Sequence, residues 1–265
     1  MTPDRQKPAA LVTGAARRIG RALVLALAAD GHPVAIHCHR ARKEAEALAA
    51  LIIADGGRAA VVSCDLADSQ ARDRLVEQAA AALGEPLAVL VNNASVIVRD
   101  DMLNATPETY QANMAVNLEA PFFLSQAFAR HVLADPDRRG VIVHLVDQRV
   151  QRPTPQFMTY TLAKAGLWHL TRTMAQALAP RIRVNAIGPG PVLPSPYQKA
   201  EDFLAEAQAT PLGEPVAPAD LAAALRFLIA AEKVTGQMIA VDSGQHLAWA
   251  TPDVAASGGE EHRSS

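Results

Sequence analysis

Short apolar runs alternate with longer helical patterns along almost the whole chain, and that alternation leaves few folds open. The apolar runs cover residues 9–13, 34–37, 59–63, 89–91, 141–146, 182–186 and 238–241. Helical patterns fill 18–30, 41–54, 69–83, 106–131, 159–178 and 219–230. Strands that are apolar on both faces need helices on both sides, which is the environment of a parallel sheet. Right-handed crossovers then give an α/β architecture, a Rossmann-type doubly wound parallel sheet in a single domain over residues 1–250. Residues 251–265, TPDVAASGGEEHRSS, are small and polar and read as a disordered tail. No internal repeat is evident.

Composition narrows the function. Half of the 265 residues are apolar, enough for a sizeable core. A formal charge of -2 gives no pull toward nucleic acid or an anionic membrane surface. Cys38 and Cys64 both fall in or at the end of strand-like runs, which suits reduced thiols in a cytoplasmic protein better than a disulfide. The polar start, MTPDRQKPAA, lacks the apolar segment of a signal peptide. No run approaches the roughly 18 apolar residues of a membrane span.

Chemistry collects at the strand ends. Thr13-Gly14-Ala-Ala-Arg-Arg18-Ile19-Gly20 joins the first strand to the first helix. Glycines there let the backbone approach a pyrophosphate that the helix N-terminus attracts, although an ordinary βα turn can look the same. The second strand ends in His37-Cys38-His39-Arg40. An acidic residue here would bind a free ribose 2′-hydroxyl, whereas arginine suits a 2′-phosphate, so NADPH is the expected cofactor. The alternative makes Arg40 a solvated residue at the start of the next helix. Asp65, before Leu66, either accepts from an adenine amino group or caps a turn. Asn92-Asn93-Ala94-Ser95 and Pro189-Gly190 complete the rim where open α/β sheets bind ligands.

Residues 147–164 read DQRVQRPTPQFMTYTLAK, with Tyr160 and Lys164 four residues apart. On a helix that spacing puts both on one face. An ammonium beside a phenol favours the phenolate and lowers its pKa, which makes the pair a proton-transfer candidate. The same spacing also occurs by chance on helix surfaces. Asp147 lies thirteen residues before Tyr160, at the carboxyl end of the fifth strand. An anion there opposes the lysine and keeps the phenol protonated.

These motifs resemble the short-chain dehydrogenase/reductase family over about residues 8–250: Thr13-Gly14…Gly20, Asp65, Asn92-Asn93-Ala94, Asn117, Tyr160-x-x-x-Lys164, Pro189-Gly190 and Asp242-Ser-Gly244. The resemblance implies Tyr160 as acid/base, Lys164 on the nicotinamide ribose and lowering the Tyr160 pKa, and Asn117 supporting a water-linked proton relay. It also implies cofactor contacts from Gly14, Arg18, Ile19, Gly20, His37, His39, Arg40, Asp65, Leu66, Asn93, Ala94, Ser95, Tyr160, Lys164, Pro189, Gly190 and Val192. Three departures are informative. Arg18 replaces the usual middle glycine, Asp147 the usual catalytic serine, and Ser95 the last glycine of N-N-A-G. Together with His37-Cys38-His39-Arg40 they resemble the pteridine reductase branch, with Arg18, Ser95, Ile97, Asp147 and Tyr160 at the substrate. An ionised aspartate can only accept hydrogen bonds, so it suits a ring presenting N–H groups better than a ketone oxygen. The expected reaction is reduction of a dihydropterin C=N bond. One departure counts against this: Ile97 stands where that branch carries a stacking aromatic, a contact worth about 0.5–1.5 kcal/mol. Phe157, Tyr197 and Trp249 are the alternative stacking residues.

The second reading is a reductase of a 3-oxoacyl or sugar carbonyl, and the third a catalytically silent binding protein. The loop from Pro191 to Tyr197 and the helical stretch after it, to about Ala209, correspond to the family's substrate lid, here stiffened by three prolines. The family resemblance implies a homotetramer built on the helices over 106–131 and 159–178, with no metal.

Overall fold

The computed structural model describes residues 7–195 and 198–249. Tyr197 and the tail over 251–265 lie outside the described residues. Seven strands form one sheet, all pairs parallel, in the order β3-β2-β1-β4-β5-β6-β7. They are β1 Ala9–Val12, β2 Val34–Cys38, β3 Ala59–Ser63, β4 Leu87–Asn92, β5 Gly140–Leu145, β6 Ile182–Pro189 and β7 Met238–Val241. The helices are α1 Arg18–Ala29, α2 Arg42–Ala54, α3 Ser69–Asp73, α4 Leu75–Leu83, α5 Pro107–Met114, α6 Ala120–Leu133, α7 Met158–Leu178, α8 Ala200–Gln208 and α9 Pro218–Ala230.

Alternation along the strands feeds two cores. Ala10 and Val12 point to one face and pack with Leu23 and Leu27 of α1, Leu48 and Ile52 of α2, and Leu225 and Leu228 of α9. Ala9 and Leu11 point to the other face, against Leu75 and Leu83 of α4 and Leu124, Phe128 and Val132 of α6. Phe128 is fully buried, and a side chain of that size contributes about 1.5–3 kcal/mol by leaving water. The chain reverses its direction of travel across the sheet between β1 and β4, and that switch point is where the crevice opens.

Two helical expectations need correction. The pattern over 69–83 is two helices meeting at Arg74, and Asp68 rather than Ser69 caps the first, accepting from Gln70 and Ala71 N–H. The pattern over 106–131 is broken by one turn of π-helix, Ala115–Glu119, in which Ala120 N–H reaches back five residues to the Ala115 carbonyl. Pro121 supplies the reason: it has no N–H to give the Asn117 carbonyl four residues earlier. Proline inside the helical pattern was the available sequence signal.

The start of α7 is held from a distance. Its N-cap position is Phe157, which has left-handed backbone (φ 56) and offers no capping side chain. Buried Asp100 does the work instead. Its carbonyl accepts Phe157 N–H at 2.7 Å, its carboxylate accepts Thr159 N–H at 3.2 Å, and Thr159 Oγ1 also donates to it. Asp100→Ala leaves both Thr159 donors unpaired in a buried site. We expect a loss of about 1–3 kcal/mol in urea unfolding; a change within about 0.5 kcal/mol would show that Asp100 does not anchor α7.

Candidate active site

A cleft of about 690 Å³ opens at the carboxyl ends of β1, β2, β3 and β4. Twelve of the sequence-derived cofactor residues line it: Gly14, Arg18, Ile19, Gly20, His37, His39, Arg40, Asp65, Leu66, Asn93, Ala94 and Ser95. The turn from β1 is shaped for close approach. A Cβ on Gly20 would lie 2.4 Å from the Gly14 carbonyl oxygen and 2.6 Å from Asn93 Nδ2. Gly14 has φ +60, and a Cβ there would sit 2.9 Å from Ala94 Cα. Asn93 Nδ2 ties the turn down through the Thr13 and Gly14 carbonyls, at 2.8 and 3.1 Å. Thr13 Oγ1 accepts the N–H groups of Asn93 and Ala94, both at 3.0 Å. Helix α1 has no capping side chain and no acidic residue in its first turn. Its positive end therefore faces the cleft with N–H groups to offer an anion.

His37 lines the cleft with both ring nitrogens in use. Its Nδ1 accepts Gly14 N–H at 3.1 Å and its Nε2 lies 3.2 Å from the Cys64 carbonyl. Both nitrogens are thus used, which fixes a neutral imidazole with the proton on Nε2. Burial pushes its pKa down to about 4. His37 is a strut for the β1 turn rather than a cation for a phosphate. His39 and Arg40 are exposed, and His39 Nε2 lies 3.8 Å from Asp65 Oδ2. Asp65 Oδ1 also caps its own turn by accepting Ala67 N–H at 3.0 Å. Arg17, absent from the sequence reading, also lines the cleft and pairs with Glu44. Its only sequence signal was its place beside Arg18.

Arg18 has φ 53, the left-handed backbone that the family's usual glycine adopts without cost. Its guanidinium donates to the Leu193 and Pro194 carbonyls at 3.2 and 3.0 Å, tying the turn to the loop after β6. In that loop Val192 is 7% exposed and packs into the core. Pro189, Gly190 and Val192 are not among the cleft-lining residues. A Cβ on Gly190 would lie 2.6 Å from Asp242 Cα, so this glycine is required for packing.

The sequence-derived proton-transfer group comes together. Tyr160 OH donates to Asp147 Oδ2 at 2.9 Å. Asp147 Oδ1 accepts Arg149 N–H at 2.8 Å. Lys164 Nζ donates to the Leu145 carbonyl at 2.8 Å and lies 5.7 Å from the centre of the Tyr160 ring. Burial and then Asp147 push the Tyr160 phenol well above its ordinary value, with Arg149 and Ser95 acting in the opposite direction. One of the three Lys164 ammonium donors goes to the Leu145 carbonyl, and burial brings the lysine down to about 8.

Asn117 sits in the π turn with its amide saturated. Oδ1 accepts Ser95 Oγ at 2.7 Å and Val96 N–H at 3.3 Å, while Nδ2 donates to the Val96 and Asn113 carbonyls. Its side chain is a bracket for the loop after β4, with no amide group left for a water. Ile97 is half-buried, and Trp249 is exposed. Phe157 is half-buried three residues before Tyr160. Among the described residues no His, Cys, Asp and Glu cluster could hold a metal.

A doubly wound parallel sheet with a phosphate-shaped turn at its switch point and a buried Tyr-x-x-x-Lys helix beside it defines a dinucleotide-type oxidoreductase. The chain belongs to the short-chain dehydrogenase/reductase family: residues 14–246 match the family model described as enoyl-(acyl carrier protein) reductase. Among solved structures it is similar to FolM alternative dihydrofolate reductase 1 from Brucella suis in complex with NADP. The identity is 45%, the TM-score 0.90, and the match covers 94% of this chain and 98% of that one. The Brucella canis counterpart, also complexed with NADP, has 44% identity, a TM-score of 0.88 and the same coverage. A curated relative, the 3-oxoacyl-[acyl-carrier-protein] reductase of a Synechocystis species, is 34% identical over 241 residues, covering 89% of this chain and 95% of that protein.

The strut role of His37 has a pH consequence. Its folded pKa of about 4 lies below the ordinary 6.5. The unfolded chain therefore takes up a proton first as pH falls, and the His37 contribution is complete above about 6.5 and lost toward 4. At 1.36 kcal/mol per unit this is on the order of 3 kcal/mol. Urea unfolding at pH 7, 5.5 and 4.5 should show stability falling across that window. A slope unchanged in His37→Gln would show that His37 is not its source.

Proposed function

We propose that the protein reduces a dihydropteridine of the dihydromonapterin, dihydrobiopterin or dihydrofolate type to its tetrahydro form, with NADPH as cofactor. The observation that carries this reading is the 2.9 Å hydrogen bond from Tyr160 to Asp147. A carboxylate beside the proton donor repels a ketone oxygen but accepts from ring and amino N–H groups. Similarity to the two NADP-complexed FolM structures supports the same reading.

The uncapped α1, the glycine turn and the exposed pair His39 and Arg40 fit a dinucleotide carrying a 2′-phosphate. Bound there, NADPH supplies the hydride that adds to the carbon of the substrate C=N bond. Tyr160, held protonated by burial and by Asp147, gives its proton to the ring nitrogen as negative charge develops there. Lys164 fixes the end of β5 through the Leu145 carbonyl and stands beside the phenol as a cation when Tyr160 takes back a proton from solvent. Asp147 aims the phenol and receives substrate N–H groups.

The second reading, reduction of a 3-oxoacyl thioester, is favoured by the 3-oxoacyl reductases among the relatives. It requires a carbonyl oxygen beside the Asp147 carboxylate, which is why we place it second. The assembly we propose is a homotetramer in the cytoplasm. Exposed Phe122 and Phe123 of α6 and Leu162 of α7 support a covered outer face. Among the described residues no helix is long and apolar enough to cross a membrane.

NADPH oxidation with dihydromonapterin, dihydrobiopterin, dihydrofolate and a 3-oxoacyl thioester in parallel tests the reading. Pterin turnover with NADPH preferred over NADH is expected. Tyr160→Phe should lose at least about a hundredfold in kcat, the scale of a removed general acid. Asp147→Ser should lose pterin turnover while still binding NADPH; full turnover by that variant would remove Asp147 from the chemistry. Arg40→Ala should weaken NADPH by about tenfold and leave NADH unchanged, as loss of one charge-assisted phosphate contact would. Equal weakening of both cofactors would place Arg40 away from the 2′-phosphate.

A further inference from the structure

Asp147 has a second charged partner that neither its position nor the family motifs single out. Arg149, two residues on in the short 3-10 turn Gln148–Val150, turns back onto it. Its Nη1 lies 3.4 Å from Oδ2 and 3.5 Å from Oδ1, while its backbone N–H donates to Oδ1 at 2.8 Å. The pair is sheltered, with side chains 23% and 13% exposed. The guanidinium is seated 5.4 Å from the centre of the Phe157 ring, and Arg99 lies 5.9 Å from the same ring. Among the described residues Arg149 Nε is buried with no hydrogen-bond partner. A buried guanidinium with an unmet donor is costly, and proximity to the carboxylate is what offsets it here.

We propose that Arg149 is a positioning residue that acts through Asp147, holding the carboxylate turned so that it remains the acceptor for Tyr160. The inference rests on the reading of Asp147 and Tyr160 as the group that meets the substrate. Both carboxylate oxygens are engaged, Oδ1 by the Arg149 backbone and Oδ2 by the phenol, with Nη1 near both. The guanidinium adds to these two hydrogen bonds in opposing rotation of the carboxylate about its χ2, a soft torsion. The polar and charged groups bearing on the Tyr160–Asp147 pair come from three places. The turn after β5 gives Arg149, α7 gives Lys164, and the loop after β4 gives the Ser95 hydroxyl. His144 of β5 adds no charge, since burial holds it neutral with a pKa of about 3. Arg149 is thus the cation that acts on both members of the pair.

A double-mutant cycle in the full-length protein separates this role from packing on Phe157. Arg149→Met keeps much of the side-chain volume and removes the charge; Arg149→Lys restores the charge. Pterin kcat/KM should fall about tenfold in Arg149→Met, a typical coupling for contacting charged groups. Arg149→Lys should recover most of it, and the Kd for NADPH should stay within about twofold in both. In an Asp147→Asn background, Arg149→Met should cost nothing further. An equal loss in both backgrounds, or no loss in either, would overturn the proposal. If the wild-type protein reduces no pterin, the proposed function fails but Arg149 is still decided. Tyrosinate absorbance, referenced to Tyr160→Phe, should show Asp147→Asn lowering the pH at which Tyr160 ionises by less in the Arg149→Met background than in wild type. Equal lowering in both backgrounds would overturn it.

Discussion

The site depends on one topological constraint, the divergence of the chain between β1 and β4. Parallel strands bring their carboxyl ends to one edge, and the reversal of strand order leaves a crevice between two of them. The crevice is kept at its width by a few polar contacts. Thr13 Oγ1 and the Asn93 side chain bind the two strand ends together, and His37 braces the turn from the neighbouring strand. Each partner is buried or half-buried, so losing one would leave an unsatisfied group rather than an exchange with water. The glycine turn, the end of α1 and the loop after β4 all take their positions from this clamp.

The proton-transfer group is built on the other side of the same edge. Helix α7 carries Tyr160 and Lys164, the turn just after β5 carries Asp147, and the π turn carries Asn117. These come from three separate stretches and are locked by contacts that never repeat a local pattern. Asp100 holds the start of α7, Asn117 holds the loop after β4, and Lys164 holds the end of β5. Several residues that look catalytic by type therefore act first as fasteners. The group left with its functional hydrogen aimed at a charge is Tyr160, and burial with Asp147 decides its protonation state.

The residue at position 147 sets the chemistry beside the Tyr160 phenol. A serine at position 147 would donate to a substrate oxygen. The carboxylate accepts instead, and it brings Arg149 with it to balance the charge. Both 3-oxoacyl reductases and FolM structures are among the proteins similar to this chain. Shared backbone explains why both are similar; the side chains at the end of β5 explain why substrate choice need not be shared.

The sequence by itself determined the sheet, the helices on both its faces and the positions of Gly14, Asn93, Asp147, Tyr160 and Lys164. Those follow from hydrophobic period, from glycine where no Cβ fits, and from fixed spacing on one helix face, all local properties of the chain. Only the tertiary structure decided what the polar side chains do. His37 proved a neutral strut because two carbonyl- and amide-bearing turns converge on its two nitrogens. Lys164 gave one hydrogen bond to the Leu145 carbonyl, the Asn117 side chain was saturated by its own loop, and Arg149 was folded back onto Asp147. Such outcomes depend on partners up to dozens of residues distant and on burial, which sets how strongly each charge is felt, and neither quantity is written in a short stretch of sequence.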